Sequence, residues 1–352
     1  MYGDRLVDCK LTACFLIACM LMGSILTEVG QCTEFPLVIQ DEGKTQESVA
    51  DRIQRATKKV NQKQTYQLEY KLKKGEEIRW NFEHSVATKF QMAGEVEESS
   101  SRSENTKLWK VANVDQLGNM TFVFTVESVK MWQKVGDAEP VAYDSQTDKE
   151  VPEEYAGAAE EVGKPRAIFS ISPSGRILDR KSDLKKDVFG VGKVTIPLPE
   201  QSVPVGYKWN VPIVLTANDE HGTKRLKARI LYELAKVKDQ NAYIRFRTEV
   251  LTPVKSEKIK STIMQKLTKG IVVFDMEKGR PILQRVEWDE KAQGFEGPDS
   301  YLKYVALMTE KIVSDDSSNK QKNSSTLAPI ENEVATMPVE IKTRDDKPVM
   351  RK

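Results

Sequence analysis

Two separated stretches of this chain spell the same strand, turn and strand pattern, and the blocks around them recur in the same order. Leu108-Trp109-Lys110-Val111-Ala112-Asn113-Val114, a turn, then Thr121-Phe122-Val123-Phe124-Thr125-Val126-Glu127 lies over Leu231-Tyr232-Glu233-Leu234-Ala235-Lys236-Val237, a turn, then Tyr243-Ile244-Arg245-Phe246-Arg247-Thr248-Glu249. Upstream, Gly75 to Asn81 matches Gly206 to Asn210 around Trp80 and Trp209. Downstream, Ala167 to Ile171 with Gly175 to Arg180 matches Ile271 to Asp275 with Gly279 to Arg285. Apolar side chains alternate with polar ones through most of these blocks, which is the period of a half-buried strand. A sequence that repeats a supersecondary unit leaves each copy with an apolar sheet face to cover. The expected fold is mainly β: two homologous antiparallel β-meander units, 65–190 and 191–297, packed as a sandwich or open barrel, with an N-terminal and a C-terminal helix.

The elements around the repeats follow from the same periodicities. Val49, Ile53, Ala56 and Val60 form a helical stripe in Gln46 to Gln62, inside an N-terminal segment of residues 33–64. Tyr66, Leu68, Tyr70 and Leu72, and then Ile78, Trp80, Phe82, His84 and Val86, alternate as two antiparallel strands around Lys73-Lys74-Gly75-Glu76. Gly118-Asn119 and Ser174-Gly175 carry turn chemistry and mark hairpin tips. Ile196-Pro197-Leu198-Pro199 to Val203-Pro204-Val205-Gly206 joins the halves as an ordered crossover whose prolines interrupt any ladder. Lys255 to Lys260 alternates lysine with apolar residues and reads as the solvent face of a strand or as edge protection, with a lipid headgroup contact as the alternative. Pro298-Asp299-Ser300 is a cap for a helix over 298–313 with Leu302, Val305, Thr309 and Ile312 on one side. The Ser-, Asn- and Lys-rich 314–352 reads as a disordered tail.

All four cysteines (Cys9, Cys14, Cys19, Cys32) lie in or near the apolar run Leu11 to Leu26, which follows Arg5 and Lys10. Residues 1–32 therefore read as a signal peptide or membrane anchor, and the protein as exported to the periplasm or cell envelope. The run is short for a spanning helix, which favours a cleaved signal. Leu16-Ile17-Ala18-Cys19 is also similar to a bacterial lipobox, with Cys19 as the residue that would carry the lipid, although Met20 to Leu26 continues apolar where a polar tether is usual.

Composition excludes more than it assigns. Lys and Arg number 54 against 52 Asp and Glu, with the signs interspersed, so no nucleic-acid partner is expected. With two histidines and no cysteine in the body, metal sites and histidine-based nucleophile triads are poorly supplied, and neither a cofactor nor an enzymatic activity is expected. His84 shares the alternation of Trp80 and Phe82 and reads as a packed or edge residue, while His221 sits in a polar turn. Asp144 to Glu150, with Glu153-Glu154 and Glu160-Glu161, lacks the spacing of a calcium loop and reads as a solvated insertion. Gly190-Val191-Gly192-Lys193 lacks the spacing and the Ser or Thr of a phosphate-binding loop.

Leu72-Lys73-Lys74-Gly75-Glu76, the strand-turn-strand of Val114 to Phe124, Tyr143-Asp144-Ser145 and the strand-turn-strand of Phe169 to Leu178 carry a resemblance over residues 65 to 290. The chain resembles exported bacterial proteins with a domain of unknown function, a kind abundant in planctomycete-type bacteria. The resemblance implies an envelope location and brings no catalytic residues. The expected function is that of a non-enzymatic envelope protein, a structural or binding scaffold contacting envelope proteins, glycans or lipid. The alternative is a carrier of a lipid or other apolar ligand, with Trp80, Phe82, Trp109, Phe122, Phe124, Trp209, Tyr232 and Phe246 as the cavity wall.

Overall fold

The computed structural model describes residues 64–182, 195–219, 222–313 and 337. The N-terminal segment with its stripe at 46–62, Cys19, Gly190 to Lys193, His221 and all of the tail except Met337 lie outside them. Fourteen strands follow one another along the described chain: β1 (Thr65–Tyr66), β2 (Glu77–Met92), β3 (Glu95–Val114), β4 (Met120–Val135), β5 (Val141–Asp144), β6 (Pro165–Ile171), β7 (Ile177–Ser182), β8 (Val203–Pro204), β9 (Lys208–Asp219), β10 (Gly222–Lys238), β11 (Asn241–Val250), β12 (Lys269–Asp275), β13 (Arg280–Gln293) and β14 (Tyr301–Val313). Two short helices interrupt them, α1 (Ala156–Ala159) and α2 (Glu257–Ile263).

Twelve of the strands form one open antiparallel sheet in the order β7-β6-β4-β3-β2-β14-β13-β12-β11-β10-β9, with β5 beside β4. Each half is a five-strand meander, β2-β3-β4-β6-β7 and β9-β10-β11-β12-β13, and β14 joins them by pairing with both β2 and β13. The tips expected at Gly118 and Gly175 are present, both glycines having positive φ. In a flat sheet β6 and β10 would stand roughly 40 Å apart, at about 4.8 Å per strand. Yet Ile171 of β6 and Ile230, Tyr232 and Leu234 of β10 belong to one buried cluster. The sheet therefore curls, and the face bearing these residues is its inner face.

Three expectations are corrected. The segment 298–313 is not a helix: Tyr301–Val313 is β14, whose full length is hydrogen-bonded between β2 and β13. Its residues 302 to 312 satisfy helical spacing only because an alternating strand with several apolar residues on each face also does so; Val305 and Leu307 remain exposed on the outer face. Lys255 to Lys260 is not a strand. Ser256 accepts a hydrogen bond from the Ile259 amide and caps α2, whose Ile259 and Ile263 are buried against Leu215, Ala217, Leu226 and Ala228. Finally, residues 66 to 72 do not form a ladder with β2. Only Thr65–Tyr66 is strand, paired with β8, and the following residues cross beneath the sheet with Leu68, Tyr70 and Leu72 buried.

That crossing segment holds the two halves together. The Tyr70 amide donates to the Pro173 carbonyl at 2.8 Å and the Lys71 amide to the Gly279 carbonyl at 3.0 Å, so adjacent residues bind the matching hairpin tips of both meanders. Neither tip has room for a side chain. A Cβ on Gly175 would fall 2.5 Å from both the Ile196 carbonyl oxygen and the Tyr70 ring, and one on Gly279 would fall 2.5 Å from the Lys71 amide nitrogen. The Tyr70 ring meets Phe274 edge-on at 5.4 Å, while its hydroxyl accepts from the Ile196 amide at 3.0 Å. The proline-rich joint lies here as well, with Pro197 accepting from Trp209 Nε1 at 2.8 Å and Leu198 donating to Ser174.

The remaining inner face is covered in sections. On the first half, residues 145–163 carry Tyr155 and Ala158 onto Phe124, Val126, Val129 and Phe169. The acidic side chains of this insertion point outward as expected, apart from Glu161, which pairs with the buried Arg166. On the second half α2 covers β9 and β10. On the opposite face of the sheet Tyr243, Ile271, Val273, Ile282 and Leu283 form a further buried cluster, and Met337 packs against it.

Candidate functional site

Antiparallel register places side chains of neighbouring strands in rows, and the rows across β14, β2 and β3 change character along the strands. Ile78 stands opposite Trp109, and Trp80 opposite both Lys107 and Ile312. Phe82 stands opposite Asn105 and Glu310, and His84 opposite Ser103 and Met308. Because alternate residues share a face, all of these point to the inner face. The rows therefore run from an aromatic core through a belt of polar groups, and Ser103 and Ser101 of β3 continue the same face toward the β2–β3 hairpin with increasing exposure.

The belt is unusual for an interior. Lys107 is 3% exposed and its ammonium reaches diagonally across β2, 3.8 Å above the centre of the Phe82 ring, to bind Glu310 Oε1 at 2.7 Å. This spends the two charges on each other. Among the described residues, neither the side-chain Nδ2 nor the Oδ1 of Asn105, 6% exposed, has a hydrogen-bond partner, and His84 Nε2 and Trp109 Nε1 are likewise buried without one. The other buried unpaired atoms among the described residues belong to arginines and to Glu233, each of which is ion-paired through another atom. An unsatisfied buried polar group costs about 1–3 kcal/mol. Asn105 and His84, diagonal neighbours on adjacent strands, thus mark a place where the described residues do not complete the hydrogen bonding, and Trp109 lies farther along β3, beyond Lys107.

Electrostatics keep this belt neutral. Burial, aided by the Lys107 charge, pushes the His84 imidazole down to about 4, so it is uncharged at neutral pH. Its ring packs 5.7 Å from that of Trp288 on β13. Farther along β13, burial raises the Glu290 carboxyl above its ordinary range. These groups form no donor set for a metal: among the described residues no three His, Cys, Asp or Glu side chains converge.

The eight aromatic positions expected as a cavity wall are packed side chains. Phe122, Tyr232 and Phe246 are in the main core, Trp80 and Trp209 pack against it, and Phe124 belongs to the cluster under residues 145–163. Trp109 touches both clusters, and Phe82 lies under the Lys107 ammonium. Trp209 stacks on Tyr232, which meets Phe246 at 5.9 Å, a continuous ring contact across three strands. A separate cleft of about 720 Å³ opens where β2, β13 and β14 end, lined by polar groups including Lys89, Gln91, Asp299 and Ser300. Asn105, Lys107 and Glu310 escaped the sequence analysis. The available signal was phase, since Asn105 and Lys107 keep step with inward-facing Trp109, where an apolar residue is the rule.

No family model and no curated protein matches this chain. Solved structures with some likeness include lipovitellin, described for its lipid-protein interactions, at 11% identity and a TM-score of 0.40 over 69% of this chain and 26% of lipovitellin. The chain thus spans about a quarter of that protein. Another is the translocator domain of the autotransporter NalP from Neisseria meningitidis, at 7% identity and a TM-score of 0.27, covering 74% of this chain and 95% of that one. An outer membrane channel from Pseudomonas putida gives 7% identity and 0.20, covering 69% and 97%. At these scores the likenesses carry no inference. Among the described residues no helix is long and apolar enough to cross a membrane.

Proposed function

We propose that this chain is an exported, non-enzymatic protein of the bacterial cell envelope, a binding scaffold made by duplication of one five-strand meander. The matching strand orders on either side of β14 support duplication, as does the clamping of Tyr70 and Lys71 by the two tips that correspond in the sequence repeat. The export reading rests on residues 1–32 and on the resemblance to exported planctomycete-type proteins, and its partners are envelope proteins or glycans met by loops and strand edges. The observation that carries the scaffold reading is that the repeat's aromatic positions are packed side chains, with Phe122 of one half and Tyr232 and Phe246 of the other in the same buried cluster.

A second reading, a carrier of an apolar-bodied ligand, is favoured by the unpartnered polar atoms of the inner face. Native mass spectrometry of the full chain, purified gently from an exporting host and followed by lipid extraction, separates the two. A clean apo mass across preparations supports the scaffold and removes the carrier reading; a stoichiometric bound lipid does the reverse.

A further inference from the structure

Asn105 and its diagonal neighbour His84, beside the Lys107–Glu310 pair, present complementary hydrogen-bonding groups that no described part of the chain engages. We propose that they form a receptor for the uncharged polar head of an amphiphile bearing both hydroxyl and carbonyl groups, a class that includes monoacylglycerols. This proposal rests on the carrier reading. The head is uncharged because the two charges next to Asn105, Lys107 and Glu310, bind each other at 2.7 Å. An ionic head would have to break that buried pair and leave one partner without a counter-charge.

The required chemistry follows from the atoms. Asn105 offers a donor and an acceptor, and His84, held neutral by burial, one ring nitrogen at Nε2. A hydroxyl that both gives and accepts, together with an ester or amide carbonyl, satisfies this set. The apolar body has a path along the same face. Val86, Met131, Trp288 and Met308 are half-buried beside the belt, and exposure rises from Ser103 to Ser101 toward the β2–β3 hairpin, which gives the route in. Water alone could complete the hydrogen bonds, but it would not favour a polar head on an apolar chain over a bare hydrocarbon.

The test is quenching of tryptophan fluorescence in the full chain by three brominated probes: a dibromo-monoacylglycerol, dibromostearate and a bromoalkane. The monoacylglycerol is expected to bind best. Asn105→Leu is expected to weaken that binding about tenfold or more while raising the melting temperature of the ligand-free protein, because it removes two unpartnered buried atoms. His84→Phe, which replaces the imidazole by a ring without nitrogen, is expected to weaken binding several-fold and supplies an independent variant. Equal binding of the bromoalkane, preference for dibromostearate, unchanged affinity in both variants, or a lower melting temperature in Asn105→Leu would each overturn the receptor while leaving a carrier in place. Absence of binding by all three probes to the wild-type chain would overturn the carrier reading together with it.

Discussion

The two ends of one inner face are built on opposite principles. Where residues 66 to 72 cross the sheet, Phe122, Ile171, Ile244, Val272 and Phe274 are almost fully removed from water, and Tyr70, the polar side chain among them, has hydrogen-bond partners at Ile196. Elsewhere on the same face, on β3, Lys107 and Asn105 are as buried as core residues, yet one side chain depends on a single ion pair and the other has no hydrogen bond among the described residues. The first region has the composition that stability selects, apolar groups at crystal-like packing density. The second gives up stability, and a protein keeps such a feature where binding or conformational choice depends on it.

Substitutions sharpen this contrast. The largest effect is expected in the aromatic core: Phe246→Ala should cost about 3–5 kcal/mol in denaturant unfolding, the transfer loss plus the cavity left behind. A loss under about 1 kcal/mol would show that this region is not the packed end. At the belt Lys107→Met should cost about 3 kcal/mol or more, since Glu310 is left buried without its counter-charge, whereas the double variant Lys107→Met, Glu310→Met should return to within about 1 kcal/mol of the parent. Additive losses in that cycle would mean that the pair is solvated instead of buried.

Protonation probes the same place. The imidazole of His84 titrates near its ordinary value in the unfolded chain and near 4 when folded. Between these values the unfolded state binds more protons, so the full contribution is present above about pH 6.5 and is lost as pH falls toward 4. The loss is on the order of 3 kcal/mol at full protonation. The charged groups facing it are Lys107 of β3 and Glu310 of β14, with Glu290 on the same face of β13. Unfolding measured from pH 7 to pH 4 should therefore be distinctly flatter in His84→Leu than in the parent. Smallest is the effect at the tips. Gly279→Ala should cost about 2 kcal/mol, because alanine is strained at a φ of 61° and its Cβ meets Lys71. An equal loss in Gly175→Ala would tie both tips to the same crossing segment.

Much of the sheet was legible because a strand's periodicity is local. The alternations from Ile78 to Val86, Trp109 to Val114 and Phe122 to Val126 identified the inward-facing residues of β2, β3 and β4, and Gly118 and Gly175 located the β3–β4 and β6–β7 turns. Reading failed where the same spacing serves two structures. Leu302, Val305, Thr309 and Ile312 satisfy a helical stripe, yet an edge of β2 and an edge of β13 were both unpaired without them, and their backbone groups completed two ladders. The alternation of Tyr66 to Leu72 named the buried side chains correctly, but the hydrogen-bond partners of Tyr70 and Lys71 are loops at Pro173 and Gly279, distant in sequence.

By itself, then, the sequence determined that this is a mainly antiparallel β protein and which face of each central strand is apolar, because both follow from the order of side chains within a few residues. Tertiary structure alone decided that β14 fuses the halves into one open, curled sheet, that a single crossing segment outside the sheet ties both hairpin tips together, and that Asn105, His84, Lys107 and Glu310 meet on the inner face. Those facts depend on strand register and on the pairing of segments far apart in the chain, and neither is encoded in any one segment's periodicity.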